Sequence, residues 1–554
     1  MNRNTESHFS ELPQVEIQRS IFDISKEHLT SFDVGELVPF YLCEVLPGDS
    51  FNVTTSCVVR LQTPLTPIMS NLYLDTYYFF CPSRILWTHF KNMMGENDSS
   101  PWLPSVSYNT PKTIPPSGGW SSGSIADHLG IPPGVKPTAT GAKMPSSLPF
   151  RGYAMICDTW FKDQNVTDPV NITLGDSNTN GSNGSNYITD TEKGGKLFKV
   201  AKYHDYFTSC LPSSQRGNVV NIFGNQFNMN TGTPASMMVP VITTGVDGLP
   251  ASNNIPMKMK PASGSGSYQL GYKYDGTDNP ITLNNQTGQL IPTNLWADTQ
   301  QLNINVNDLR IAFQIQKFLE KDARSGVRMR ETIKEHFGVT VADSRMMIPE
   351  YLGGSRIPLS IHQVANTAST SGEYLGDLGA MSNTSDIHES FIKSFDEWGY
   401  VIGVCCVRYD HVYSQSLDRL WFRNDRFDYY WPVFASVPEQ PVYKSELKWD
   451  NSLTGFEVFG YQEPWAEYRY GRNSCAGEMR PGVANSLATW HLADYYTSVP
   501  SLSDSWIRED TNTVDRVLSV SHSAANQVFA DFYIRNIATR PMPMYSIPGL
   551  IDHH

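Results

Sequence analysis

Between Leu72 and Pro82 the chain reads LYLDTYYFFCP, apolar or aromatic at every position except Asp75 and Thr76. A strand with one wet face alternates polar and apolar residues, so a run this uniform belongs in a sheet covered on both faces. VIGVCCVRY (401–409) repeats the pattern. LVPFYLCEVLPGDSFNVTTSCVVRLQTPL (37–65) breaks into runs of β-branched and aromatic residues around a Pro-Gly-Asp turn. The 40 glycines and 36 prolines are scattered rather than clustered, which favours many turns and short strands over long helices. Further strands are expected at 399–413, 428–437 (DYYWPVFASV), 454–463 and 527–541.

Helices are the exception. NDLRIAFQIQKFLEKDARSG (307–326) places Leu309, Ala312, Phe313, Gln316 and Leu319 at helical spacing, with Asp308 near its start and Gly326 at its end. A shorter helix is expected at VRMRETIKEHFG (327–338), with others at SIADHLG (124–130) and YAMICDTWFKDQ (153–164). The charges of the 308–336 pair alternate in sign, as on a solvated or interface helix.

At 554 residues the length suggests roughly three or four domains. Residues 1–217 read as an N-terminal arm and the first strands with loop excursions, among them a flexible polar tip at 165–195. Residues 218–300 are weakly periodic and too long for a loop, so they read as an inserted β-rich lobe. Residues 301–554 hold the helix pair, the remaining strands and a C-terminal arm. Many antiparallel strands with long excursions suggest a sandwich or jelly roll.

The net charge of −13 argues against a nucleic-acid binder with a basic footprint over its whole surface, though one basic face is compatible with it. The eight cysteines lack metal-ligand spacing and read as buried thiols of a reducing compartment. No signal peptide and no membrane-spanning run is expected.

Catalytic and metal motifs read as loop features. GGWSSG (118–123) holds Ser121 in G-x-S-x-G, but TIPPSGG before it is not the strand that a nucleophile elbow needs. DSNTNG (176–181) starts like a calcium loop, yet Tyr187 stands where the bidentate glutamate belongs. The histidines, including terminal His553 and His554, show no zinc spacing. No catalytic residue, metal or cofactor is expected.

Two aromatic stretches remain. FGYQEPWAEYRYG (459–471) offers Phe459, Tyr461, Trp465, Tyr468, Arg469 and Tyr470 as a rigid, charge-balanced contact surface. Its Glu463 and Glu467 are also conceivable as a glycosidase pair with Trp465 as a sugar platform, which keeps open a monomeric carbohydrate-binding or glycosidase-like β-sandwich. DRLWFRNDRFDYYWP (418–432) combines Arg419, Arg423 and Arg426 with Trp421 and Tyr430, groups suited to stacking and neutralising single-stranded DNA. Asp418, Asp425 and Asp428 would cancel those three charges, which again favours a protein contact.

Several blocks carry a resemblance that spans nearly the whole chain in order. They are TSFDVGELVPFYLCEVLPGDSF (30–51), LYLDTYYFFCPSRILW (72–87), KYHDYFTSCLPSSQRG (202–217), DLRIAFQIQKFLEKDARSG (308–326), PEYLGGSRIPL (349–359), FRNDRFDYYWPVFASVPEQPV (422–442), FGYQEPWAEYRYG and the terminal RPMPMYSIPGLIDHH. The chain resembles the major capsid proteins of gokushovirus-type microviruses, which are small icosahedral single-stranded DNA phages. The resemblance implies a mainly β, eight-stranded antiparallel jelly roll with large loop insertions and a few short helices. It implies a structural, non-enzymatic subunit of a closed T=1-type shell of about sixty copies. That shell would enclose circular single-stranded DNA, with a small basic protein or polyamines neutralising it. It further implies a minor spike or pilot protein, a host-cell receptor contacted by a threefold protrusion built from 218–300, synthesis in the host bacterial cytoplasm and residence in the virion.

Overall fold

The computed structural model describes residues 17–96, 106–139, 141–217, 306–326, 328–367, 375–453 and 456–545, together with the backbone of seven short strands between 241 and 297. His553, His554 and most of the 218–300 region lie outside the described residues. Strands in antiparallel sheets dominate, and two five-stranded sheets form the main body.

The first sheet contains β1 (Ser20–Asp23), β2 (Lys26–Phe32), β4 (Ser50–Leu61), β8 (Thr384–Ser394) and β12 (Val528–Arg540). Its order is β1–β12–β4–β8, and β2 also pairs with β12. The second contains β3 (Glu36–Val45), β5 (Leu72–Pro82), β6 (Phe198–Lys199), β7 (Glu350–Pro358) and β9 (Gly399–Tyr409), ordered β7–β5–β9–β3–β6. Successive long strands β2, β3, β4 and β5 alternate between the sheets, so the chain repeatedly crosses the sandwich edge.

Alternation decides the first sheet's faces. In β4, Phe51, Val53, Thr55, Cys57, Val59 and Leu61 are buried, while Asn52, Val58 and Arg60 are exposed. In β12, Val528, Ala530, Phe532, Ile534 and Ala538 point inward by the same period of two. The inward faces of both sheets meet in one core. Phe40 stacks on Phe532 at 4.5 Å, Phe51 meets Phe395 edge-on at 5.3 Å, and Asn536 donates to the Tyr41 phenol at 2.7 Å. Each such ring removed from water contributes about 1.5–3 kcal/mol.

In the second sheet β5 and β9 are buried almost throughout, as their uniform apolar sequence requires. The cover on their outer face comes from the loop excursion, whose helix α1 (Leu148–Ile156) runs into one π turn, Cys157–Phe161. Gly152 makes this close approach possible: a Cβ there would stand 2.8 Å from Ile402 Cδ1. The buried Arg151 of the same helix donates to Leu86 and Gly175 carbonyls at 3.1 and 3.0 Å, and its Nε lies 3.4 Å from Glu192. The polar tip expected to be flexible is tied down: Asp176 accepts from the Trp87 indole at 2.8 Å, and Asn183 donates to Gly119 at 3.0 Å. The calcium-like segment thus serves as a hydrogen-bonding strap. The two-residue strand Thr113–Ile114 does not lead directly into Ser121: residues 115–120 between them form no strand, and the Ser121 amide donates to Asn183 at 2.9 Å. All eight cysteines are unpaired, and all but Cys43 and Cys475 are buried.

Residues 215–324 form a second compact unit. Its described backbone has a three-stranded meander (257–261, 268–274, 277–280), a hairpin (283–286, 289–292) and a paired 241–243 and 295–297. Helix α2 (Val306–Ser325) lies in this unit up to Arg324. Gly326, at φ 105°, lies just past its end. Of the apolar positions read from spacing, Leu309, Ala312 and Leu319 are partly buried, whereas Phe313 is exposed. A shorter helix, α3 (Met329–Phe337), ends at Gly338 with φ 70°.

Candidate assembly surface

The described residues between 418 and 470 lie on short helical turns, loops and two short strands. The stretch 428–437, expected as a strand, instead holds 3-10 turns at Arg426–Asp428 and Pro432–Phe434. Pro432 donates no backbone hydrogen bond and presets the turn, so the β-favouring aromatics around it do not enter a ladder. Two short strands, β10 (Gln440–Tyr443) and β11 (Val458–Gln462), frame the region and pair with each other.

The two ends of the 459–471 stretch face opposite ways. Phe459 is buried beside Phe207 and Trp506, the latter ring at 5.0 Å, and Trp465 is also buried. Phe459 is therefore part of this chain's own core, and Trp465 is internal as well. Trp465 adopts a left-handed backbone (φ 61°), a conformation costing about 1 kcal/mol outside glycine. Its indole donates to the Phe434 carbonyl at 2.9 Å and its amide to Gln440 at 3.2 Å. Tyr461 is partly buried and pairs its backbone with Leu211. Tyr468, Arg469 and Tyr470 are exposed.

The arginines divide likewise. Arg423, with a side chain 9% exposed, reaches Glu467 at 3.3 Å and the Asp428 carbonyl at 2.8 Å, and it also donates to the Tyr468 phenol. The Tyr429 and Tyr468 ring centres lie 5.1 and 4.6 Å from its guanidinium. Arg419 donates to the Pro441 carbonyl at 2.7 Å and lies 3.4 Å from Glu446 and 3.8 Å from Glu467. Burial pushes the Glu446 carboxyl up, against the pull of Arg419, and the Tyr206 phenol donates to it at 2.9 Å.

Of the three nearby aspartates expected to cancel these charges, Asp425 and Asp428 serve the turn. Asp428 accepts the amides of Asn424 and Asp425 at 2.8 and 2.9 Å, which holds its carboxyl below the usual range. Asp418 pairs instead with Arg472 at 3.0 Å. Neutralisation comes from Glu446 and Glu467, which sequence proximity does not indicate. Arg419 and Arg423, two of the expected DNA-facing residues, are thus committed to internal carboxylates. Arg426, Trp421 and Tyr430 are exposed, with Arg426 lying over the Phe427 ring at 4.7 Å. Glu463 pairs with Arg469 and Glu467 with the two arginines, so both carboxylates of the conceivable sugar site are engaged.

The exposed surface extends past the residues expected from sequence: Val433 is 82% exposed, Trp431 half exposed, and Trp449 and Phe456 are also exposed. The WPVF tetrapeptide was the available signal, hidden by its strand-like composition. Beneath the rim Arg419, Phe422, Arg423, Phe427, Tyr443 and Trp465 line a cavity of about 230 Å³. Among the described residues no cluster of three metal-ligating side chains occurs.

Exposed aromatics beside internal ion pairs have the composition of a protein–protein contact. The profile of the family described as capsid protein (F protein) matches residues 10–550. Capsid protein VP1 of Spiroplasma virus 4 is 38% identical, over 96% of this chain and 96% of its own length. Capsid protein VP1 of Bdellovibrio phage phiMH2K is 34% identical, over 99% of this chain and 98% of its own. Capsid protein VP1 of Chlamydia phage 1 is 33% identical, over 98% and 97% respectively. With a profile match over nearly its full length and three such relatives, the chain belongs to the phage capsid protein (F protein) family.

Proposed function

We propose that this chain is the major structural subunit of a small icosahedral phage shell of about sixty copies, arranged as in other closed symmetric assemblies. The observation that carries this reading is the end-to-end match to capsid proteins, which covers both compact units rather than one module. The eight long strands β2, β3, β4, β5, β7, β8, β9 and β12 act as a jelly roll, its two sheets facing each other. Leu29, Val58, Ile387, Phe529 and Tyr533, exposed on the first sheet, and the 418–470 rim are apolar surface that assembly would cover.

The shell encloses circular single-stranded DNA. At −13 per chain the subunit cannot neutralise that polyanion, so a small basic packaged protein or polyamines do so. Arg426, Trp421 and Tyr430 are the DNA-facing residues of the 418–432 segment, and Tyr468, Arg469 and Tyr470 pack between subunits. The 218–300 lobe contributes to host attachment, and a minor spike or pilot protein completes the virion. The subunit is made in the host bacterial cytoplasm and has no catalytic role.

Sedimentation of particles from cells carrying the gene in its phage context, followed by imaging, tests this reading. Uniform small icosahedra containing the chain and circular single-stranded DNA are expected. A slow monomer with no particle fraction would overturn it.

A further inference from the structure

Past the end of β12 the chain reads PMPMYSIPGLI (541–551), eleven residues without a charge. Its described part stands in water: Met542 is 40%, Met544 50% and Tyr545 78% exposed. Successive N–H groups of a strand point to opposite sides, so Pro541 and Pro543 would blank one side and Pro548 the other. The segment is therefore ill suited to extend the edge of either large sheet. Proline at alternate positions instead favours the stiff polyproline II conformation, with the intervening side chains projecting.

The cavity of about 230 Å³ at 418–470 suits such a segment. Phe422, Phe427, Tyr443 and Phe456 form its aromatic walls. Tyr443 lies 4.9 Å from Phe456, and Phe422 lies 6.3 Å from it. Phe427 and Phe456 are 52% and 59% exposed, so the walls stand open to a ligand. Aromatic-lined grooves take proline-rich segments because the ligand is stiff before it binds and loses little entropy. The charges also fit. Arg419 and Arg423 line the cavity, but Glu446 and Glu467 already answer them. An uncharged segment disturbs neither pair, whereas a phosphate would have to compete with both carboxylates.

Resting on the shell reading above, we propose that residues 541–551 of one copy dock in the 418–470 cavity of a neighbouring copy, with Met544 and Tyr545 as anchors. Tyr545, exposed as it is, does not occupy the cavity of its own chain, so the contact runs between chains. Such a contact joins two different patches of the same chain, the head-to-tail type that closes rings around symmetry axes.

To test this, Tyr545 is replaced by the photoreactive p-benzoylphenylalanine in the phage context, and purified particles are irradiated with near-ultraviolet light. Cross-linked dimers whose digest joins 541–551 of one copy to 418–470 of another are expected. Phe456→Ala, at an exposed wall, should lower the dimer yield roughly tenfold, the loss of one interface anchor. If the photoreactive chain does not assemble, electron cryomicroscopy of unmodified particles decides, with a neighbour's chain density over Phe427 and Phe456 expected. Particles without such dimers, with cross-links confined to the same chain, to another surface of the neighbour or to DNA, with an unchanged yield in Phe456→Ala, or with an empty cavity overturn the proposal and leave the shell reading standing. Absence of any particle removes both.

Discussion

Arg423 and Glu467, 44 residues apart in the chain, meet at 3.3 Å with side chains only 9% and 11% exposed. This contact ties the 3-10 turns of 418–434 to the segment after β11, and Arg419 shares the same carboxylate at 3.8 Å. The aromatic rim rests on that junction.

Replacing Glu467 by Gln keeps the shape but leaves two arginines short of a counter-charge. Breaking a buried ion pair from one side costs about 3 kcal/mol at the lower end of the usual range. Calorimetry of the unassembled chain should show a lowered midpoint. An unchanged midpoint would mean that the pair contributes no net stability.

The aromatics of 459–470 should separate into two classes. Phe459→Ala empties a core position, and such truncations cost about 3–5 kcal/mol, so soluble folded protein should be lost. Tyr468→Ala with Tyr470→Ala should leave the circular dichroism of the chain unchanged yet cut the particle fraction in sedimentation, since interface tyrosines carry roughly 2 kcal/mol or more. Normal particle yield from the double variant would exclude these tyrosines from assembly.

Glu36 makes stability depend on pH. Burial pushes its carboxyl from 4.5 up to about 7, against the Asp33 amide that donates to it at 3.0 Å. Between these values the folded chain binds more protons than the unfolded chain, so this contribution is complete below pH 4.5 and is lost as pH rises toward 7. Its upper bound is about 3 kcal/mol. Glu36→Gln should flatten that slope in urea titrations from pH 4.5 to 7.5 and raise stability at the alkaline end; an unaltered slope would assign the pH dependence to another group.

Deleting 230–290 lies within the second compact unit and leaves both large sheets intact. Particles should still form while adsorption to host cells drops. Failure to assemble would make the lobe part of the shell contact.

The strands at 72–82 and 399–409 were legible because their uniform apolar character is a local property that only a doubly covered strand satisfies. The 306–325 helix was legible for the same kind of reason, from its period and its terminal glycine. β7 and β8 were harder: Ser355, Arg356, Asp386 and Glu389 interrupt their apolar pattern, since both strands lie at sheet edges and meet water along one side. At 428–437 composition favoured a strand, but a ladder also needs a partner, and none is paired there.

By itself, then, the sequence determined a β-dominated chain, its doubly covered strands, its long helix and its resemblance to phage capsid proteins. Only the tertiary structure decided that Phe459 and Trp465 turn inward while Tyr468 and Tyr470 remain outside. It likewise assigned Arg419 and Arg423 to Glu446 and Glu467 rather than to the aspartates beside them. The physical reason is range: strand and helix patterns follow from neighbours a few residues apart, whereas burial and charge pairing in irregular loops depend on groups brought together from distant parts of the chain.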